Sequence, residues 1–260
     1  MINLFEFALL TKREYADLAV KAFKYDDYVS KSKLEQDVKL QLEETKKKYP
    51  STIIRYAGTP KQGSASYPID VRNYATCGQN DVDLKQFLGA LSVQNVMNAK
   101  GMTYHEACDE VIVNINQMTK VNYAFDTDNY GFSEYWQFAP ITFKIGSGDC
   151  DDYAILRYVL YRLAGVPAEL IRIGVGLTAN GQGHATIYYL SSALEWIHLN
   201  STSSFSKVED TINKQTLKDS ALEIQDFWFS FNELGAWSKI ESKEALSSLK
   251  THAKFKIVQK

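Results

Sequence analysis

Cysteine is scarce and unpatterned in this chain: three in 260 residues, at Cys77, Cys108 and Cys150. An odd set without metal-ligand spacing implies no disulfide framework and points to free thiols. Long apolar runs are missing too. No stretch of about 18 apolar residues occurs, so no transmembrane helix is expected. The segment from Met1 to Arg13 lacks a basic n-region, carries Glu6 inside its apolar run and shows no small-residue cleavage site. It does not read as a signal peptide. An excess of one charge is also absent: the net charge is −2, which offers no electrostatic footprint for nucleic acid. No internal repeat and no low-complexity tract is present. These absences predict a protein without nucleic-acid or membrane partners, cytoplasmic or held in a larger assembly such as a virion.

What is there is ordinary globular composition, 45% hydrophobic and 23% charged. Residues 12–28 and 32–49 read as two helices rich in Lys, Glu and Asp, and Ser51 to Tyr56 as a strand. Residues 58–68, with Pro60, Gly63, Ser64 and Ser66, form the best linker candidate. The pattern is helical again from Asp83 through Met97. Thr103 and Glu106 then form a capping-box signature that opens a helix to Lys120; it makes His105 a surface residue and buries Cys108. Residues 224–237 hold Phe227, Trp228, Phe229, Phe231 and Trp237, a cluster that buries against a core or lines a peptide groove. The reading divides the chain into a mainly helical N-terminal extension (1–99), a core (100–205) and an aromatic-rich C-terminal extension packed on that core (206–260).

The chemistry concentrates at Gly146-Ser147-Gly148-Asp149-Cys150-Asp151-Asp152-Tyr153-Ala154. Glycines allow a sharp turn into a helix whose apolar stripe is Ile155, Leu156, Val159, Leu160 and Leu163, closed by Gly165-Val166-Pro167. Cys150 falls at the helix start, where the dipole favours a thiolate and lowers the thiol pKa. It is a candidate nucleophile; the alternative is a small buried hydrophobe.

A thiol nucleophile needs a base, and His184 stands at the head of a strand-like run ending at Leu190. A second run, Leu194 to Asn200, follows a short polar link. A hairpin centred on Ser192 would set Asn200 directly opposite His184, close enough to orient the imidazole. Cys150, His184 and Asn200 then form a nucleophile–base–orienter set.

The segment from Glu134 to Thr142, followed by the Cys150 motif, resembles the bacterial transglutaminase-like cysteine peptidases, a group that includes periplasmic adhesin-releasing proteases. Two positions depart from the family pattern: Trp136 and Pro140 stand one residue further apart, and Asn200 stands where adhesin-releasing members usually carry Asp. The resemblance implies an α+β fold, a papain/transglutaminase-like core with the nucleophile helix packed on an antiparallel sheet of roughly 169–177, 185–190 and 195–199. It implies Cys150 as nucleophile, His184 as base and Asn200 as orienter. It suggests calcium at Asp149, Asp151 and Asp152, whose alternative role is to cap the helix and complement its dipole. Trp136 or Gln137 would join the Cys150 backbone N–H as oxyanion donors, with core packing as the alternative for Trp136.

The expected activity is amide-bond hydrolysis of a protein or peptide through an acyl-enzyme, with no cofactor required and calcium as an optional ligand. Two alternatives stay open: transglutaminase-type transfer to an amine, and a non-catalytic structural or interaction protein that keeps the fold.

Overall fold

The computed structural model describes residues 55–56, 69–131, 134–192, 196–199 and 223–238. The expected helices at 12–28 and 32–49, the linker at 58–68 and Asn200 lie outside the described residues. Two short strands, β1 (Arg55–Tyr56) and β2 (Ile69–Asp70), pair antiparallel. Helices α1 (Arg72–Thr76), α2 (Val82–Leu88), α3 (Val93–Lys100) and α4 (Tyr104–Met118) follow.

The single helix expected over 83–97 is two. Gly89 takes φ +55° after α2, and Ser92 starts α3 afresh, its hydroxyl accepting from the Asn95 N–H at 3.2 Å. The apolar period runs across the gap because both pieces bury one side, so periodicity alone conceals the break. The capping box at the head of α4 is present, and Cys108 is fully buried. His105 is a correction. It is part-buried, and its Nε2 lies 2.9 Å from the Leu190 carbonyl oxygen, tying the start of α4 to the sheet.

After β3 (Asn122–Tyr123) come α5 (Asp126–Tyr130), α6 (Ala139–Ile145), β4 (Ser147–Gly148) and α7 (Cys150–Leu163). The sheet follows: β5 (Ile171–Thr178), β6 (Gly183–Leu190), β7 (Trp196–Leu199), β8 (Ile224–Phe231) and β9 (Ala236–Ser238), in the antiparallel order β7-β6-β5-β8-β9. The aromatic cluster of the C-terminal part forms β8 and β9 of this sheet.

Helix α7 is buried from Asp151 to Tyr161 because it lies between this sheet and helices α1, α4 and α6. Ile155, Leu156, Val159 and Leu160 share one apolar core with Ile171, Ile173, Ala185, Ile187, Tyr189 and Phe231. Val71, Leu84, Leu88, Val93 and Met97 belong to the same cluster. By strand alternation the opposite face carries Arg172, His184, Tyr188, Trp196 and His198. The architecture is α+β, a helix-on-sheet core with α7 as its central helix. Among the described residues no helix is long and apolar enough to cross a membrane.

Candidate active site

The turn into α7 is set by a parallel pairing of β3 with β4. The Asn122 N–H donates to the Gly146 carbonyl at 2.9 Å and the Ala124 N–H to the Gly148 carbonyl at 3.0 Å. Gly148 has no substitute here, since a Cβ would lie 2.5 Å from Asp152 Oδ2. Asp152, fully buried, is the hub. It accepts from the Gln137 N–H at 2.7 Å, from Gln137 Nε2 at 2.6 Å and from the Asp149 N–H at 3.2 Å. One carboxylate fastens the segment before α6, the turn and the first turn of α7.

Cys150 opens α7 as expected, and its sulfur accepts a hydrogen bond from the Ala185 N–H of β6. The thiol is therefore seated against the strand residue that follows His184. His184 itself is 7% exposed, with no hydrogen-bond partner at Nε2 among the described residues. Burial lowers its pKa to about 4, so the imidazole is neutral. Burial, then the charge of Asp149, push the Cys150 thiol up to about 12 against the smaller opposing effects of the Ala185 and Asp151 N–H groups. The expected helix-dipole thiolate is thus outweighed: desolvation and a neighbouring carboxylate act more strongly than the helix terminus.

The hairpin register is a second correction. Tyr188 faces His198 and Ile187 faces Leu199, two residues away from the register that sets 184 against 200. Parity is kept, so even-numbered residues of the pair still share a face. His198 belongs to that face, 2% exposed, with Nε2 2.9 Å from Thr186 Oγ1.

The expected oxyanion donors are committed elsewhere. Trp136 Nε1 donates to Glu134 Oε1 at 2.8 Å, and its ring stacks on Phe231 with centroids 6.0 Å apart. Gln137 gives its backbone N–H to Asp152 and its side-chain amide to Asp152 and to the Ser147 carbonyl at 3.3 Å. Gln137 is a positioning residue for the turn.

The acidic residues fall into two groups that meet at Asp149. One joins Asp149 and Asp151 to the Cys150 sulfur; the other joins Asp149 and Asp152 to Asp126, ligand atoms in each lying within 4.8 Å of one another. Asp126 is 1% exposed, and its carboxylate accepts from the Tyr135 N–H. Burial and Asp149 raise its pKa to about 7; burial is the main cause that brings Asp152 to about 7 as well. Asp151 is pushed far above the carboxylate range by burial and by Asp149. Asp126 was missed in the sequence. It stands far from the Cys150 motif, and only the β3–β4 pairing brings it there.

The family model of the bacterial transglutaminase-like cysteine proteinases matches residues 75–235. LapG of Legionella pneumophila is similar at 23% identity, over 72% of this chain and 97% of that one, with a TM-score of 0.42. Its calcium-bound form aligns at 23% identity over 56% and 87%, TM-score 0.37. A putative cysteine protease from Cytophaga hutchinsonii aligns at 15% identity over 62% and 64%, TM-score 0.28. Among curated proteins, none matches.

Proposed function

The chain belongs to the bacterial transglutaminase-like cysteine proteinases, and from that premise we propose that it hydrolyses amide bonds of a protein substrate with Cys150 as nucleophile, His184 as base and Asn200 as the residue that orients His184. The observation that supports this reading is the Ala185 N–H bond to the Cys150 sulfur, which seats the thiol against the strand residue that follows His184, itself buried and neutral.

The resting pair is a neutral thiol and a neutral imidazole, so proton transfer accompanies attack. His184 takes the sulfur proton as sulfur bonds to the carbonyl carbon. The Cys150 backbone N–H, at the helix start, donates to the developing oxyanion. The imidazolium then gives its proton to the leaving nitrogen as the C–N bond breaks, leaving a thioester. Water, deprotonated by His184, attacks the thioester carbon; the C–S bond breaks, the acid leaves, and the sulfur takes the proton back from His184. Asn200 accepts from the second ring nitrogen and holds the tautomer.

Calcium fits the group of Asp126, Asp149 and Asp152. Their hard oxygens converge, and Asp126 Oδ1 and Asp149 Oδ1 are buried without hydrogen-bond partners. Bound there, the cation would neutralise the Asp149 charge that now raises the pKa of Asp126, Asp152 and the Cys150 thiol. Asp151 belongs to the other group, with Asp149 and the Cys150 sulfur.

Unfolded polypeptides offered with a primary amine test the reading. Cleavage without amine incorporation is expected, lost in Cys150→Ser and His184→Ala and retained in His198→Gln. Amine incorporation would move the assignment to acyl transfer, and unchanged cleavage in Cys150→Ser would end it.

A further inference from the structure

The face of the sheet turned away from α7 carries a cation the proposed chemistry does not use. Arg172, on β5, is 7% exposed. The Trp237 ring covers the guanidinium at 3.9 Å from its centroid, and Trp196 approaches it at 5.8 Å. Stacking serves the flat face of a guanidinium but not its in-plane donors. Among the described residues, Nε and Nη1 have no hydrogen-bond partner. No carboxylate of the described residues pairs with it, and burial alone acts on its pKa, lowering it to about 10. A buried cation stripped of water and left without an anion is among the costlier arrangements a core can hold. Cation–π contact offsets part of that cost and leaves Nε and Nη1 unanswered.

We propose that Arg172, walled by Trp196 and Trp237, is a binding site for a carboxylate ligand. One positive charge matches a carboxylate monoanion; a phosphate near dianionic charge would be left under-compensated with a single arginine. The aromatic walls suit the carbon skeleton that carries the carboxylate. The site shares a sheet face with His184. Tyr188 is opposite Arg172, and Gly176, opposite His184, lies four residues further along β5, about 13 Å away.

Two tryptophans report on it directly. Wild-type protein is titrated with acetate against chloride at matched ionic strength, following tryptophan fluorescence and thermal midpoint. A blocked dipeptide acid and its C-terminal amide are then compared, which separates a free small carboxylate from a polypeptide terminus. Acetate gives a saturable change that chloride does not, and the dipeptide acid competes with it while the amide is inert. Binding of the dipeptide acid at much lower concentration than acetate identifies a chain terminus as the ligand. Arg172→Met weakens the response roughly tenfold or more. It melts at or above wild type in chloride and below wild type in saturating acetate, because the variant no longer buries an unpaired charge. Identical responses to acetate and chloride in the wild type overturn the proposal. So does Arg172→Met melting equally far below wild type in both salts, since that is the mark of a purely structural cation.

Discussion

At the scale of single residues, the site depends on hydrogen bonds that the motif does not advertise. The Gly148, Asp149 and Cys150 run announces a turn into a helix, and Cys150 opens that helix. Gln137 is a different case. The resemblance implied a donor for the oxyanion here, yet its donors hold Asp152 at 2.6–2.7 Å. Nothing local in the sequence distinguishes the two roles, because the partner is fifteen positions away. Gln137→Ala removes the amide from a buried carboxylate and should destabilise the fold by about 1–3 kcal/mol. Urea denaturation measures it, with turnover falling alongside as the turn loosens. Gln137→Glu should be worse, setting a second carboxylate against Asp152. Wild-type stability in Gln137→Ala would mean that Asp152 does not depend on this contact.

At the scale of elements, helix α7 and strands β5–β7 were legible because amphipathic period and alternation are local properties. Their joints were not. The break between α2 and α3 turns on the positive φ at Gly89, and the β6–β7 register is set by which pairs pack across the sheet rather than by the linking residues. His105 is another joint, read as a surface residue from its place in a helix's first turn and found bonded to the end of β6. Burial lowers its pKa below the ordinary 6.5, ahead of the opposing effects of the Leu190 carbonyl and nearby acids. The unfolded chain therefore takes up a proton below about pH 6.5 that the folded chain refuses, so stability contributed here is present above that pH and lost as pH falls through it. Urea midpoints at pH 7.5 and 5.5 should fall further in wild type than in His105→Gln. Parallel pH profiles of the two proteins would contradict this.

At the scale of the whole molecule, the chain gathers distant pieces around the start of α7: Asp126 from α5, Gln137 ahead of α6, and Ala185 with His184 from β6. Cys150 and His184 were readable from sequence as candidates, but Asp126 enters only through the pairing of β3 with β4. Calcium should raise the thermal midpoint of the wild-type chain, and chelation should reverse it. Asp126→Asn should lose most of that shift while Asp128→Asn, in the same short helix, retains it. Equal calcium shifts in wild type and Asp126→Asn would remove Asp126 from the cation site.

The central claim is that Cys150 forms a thioester with the acyl half of its substrate, using His184. Intact-protein mass spectrometry after acid quench of a reaction with a random decapeptide library tests this most directly. The account predicts acyl adducts that map to Cys150, disappear with hydroxylamine, and are absent from Cys150→Ser and His184→Ala. Adducts on Cys77 or Cys108 instead, or peptide cleavage that continues in Cys150→Ser, would contradict it.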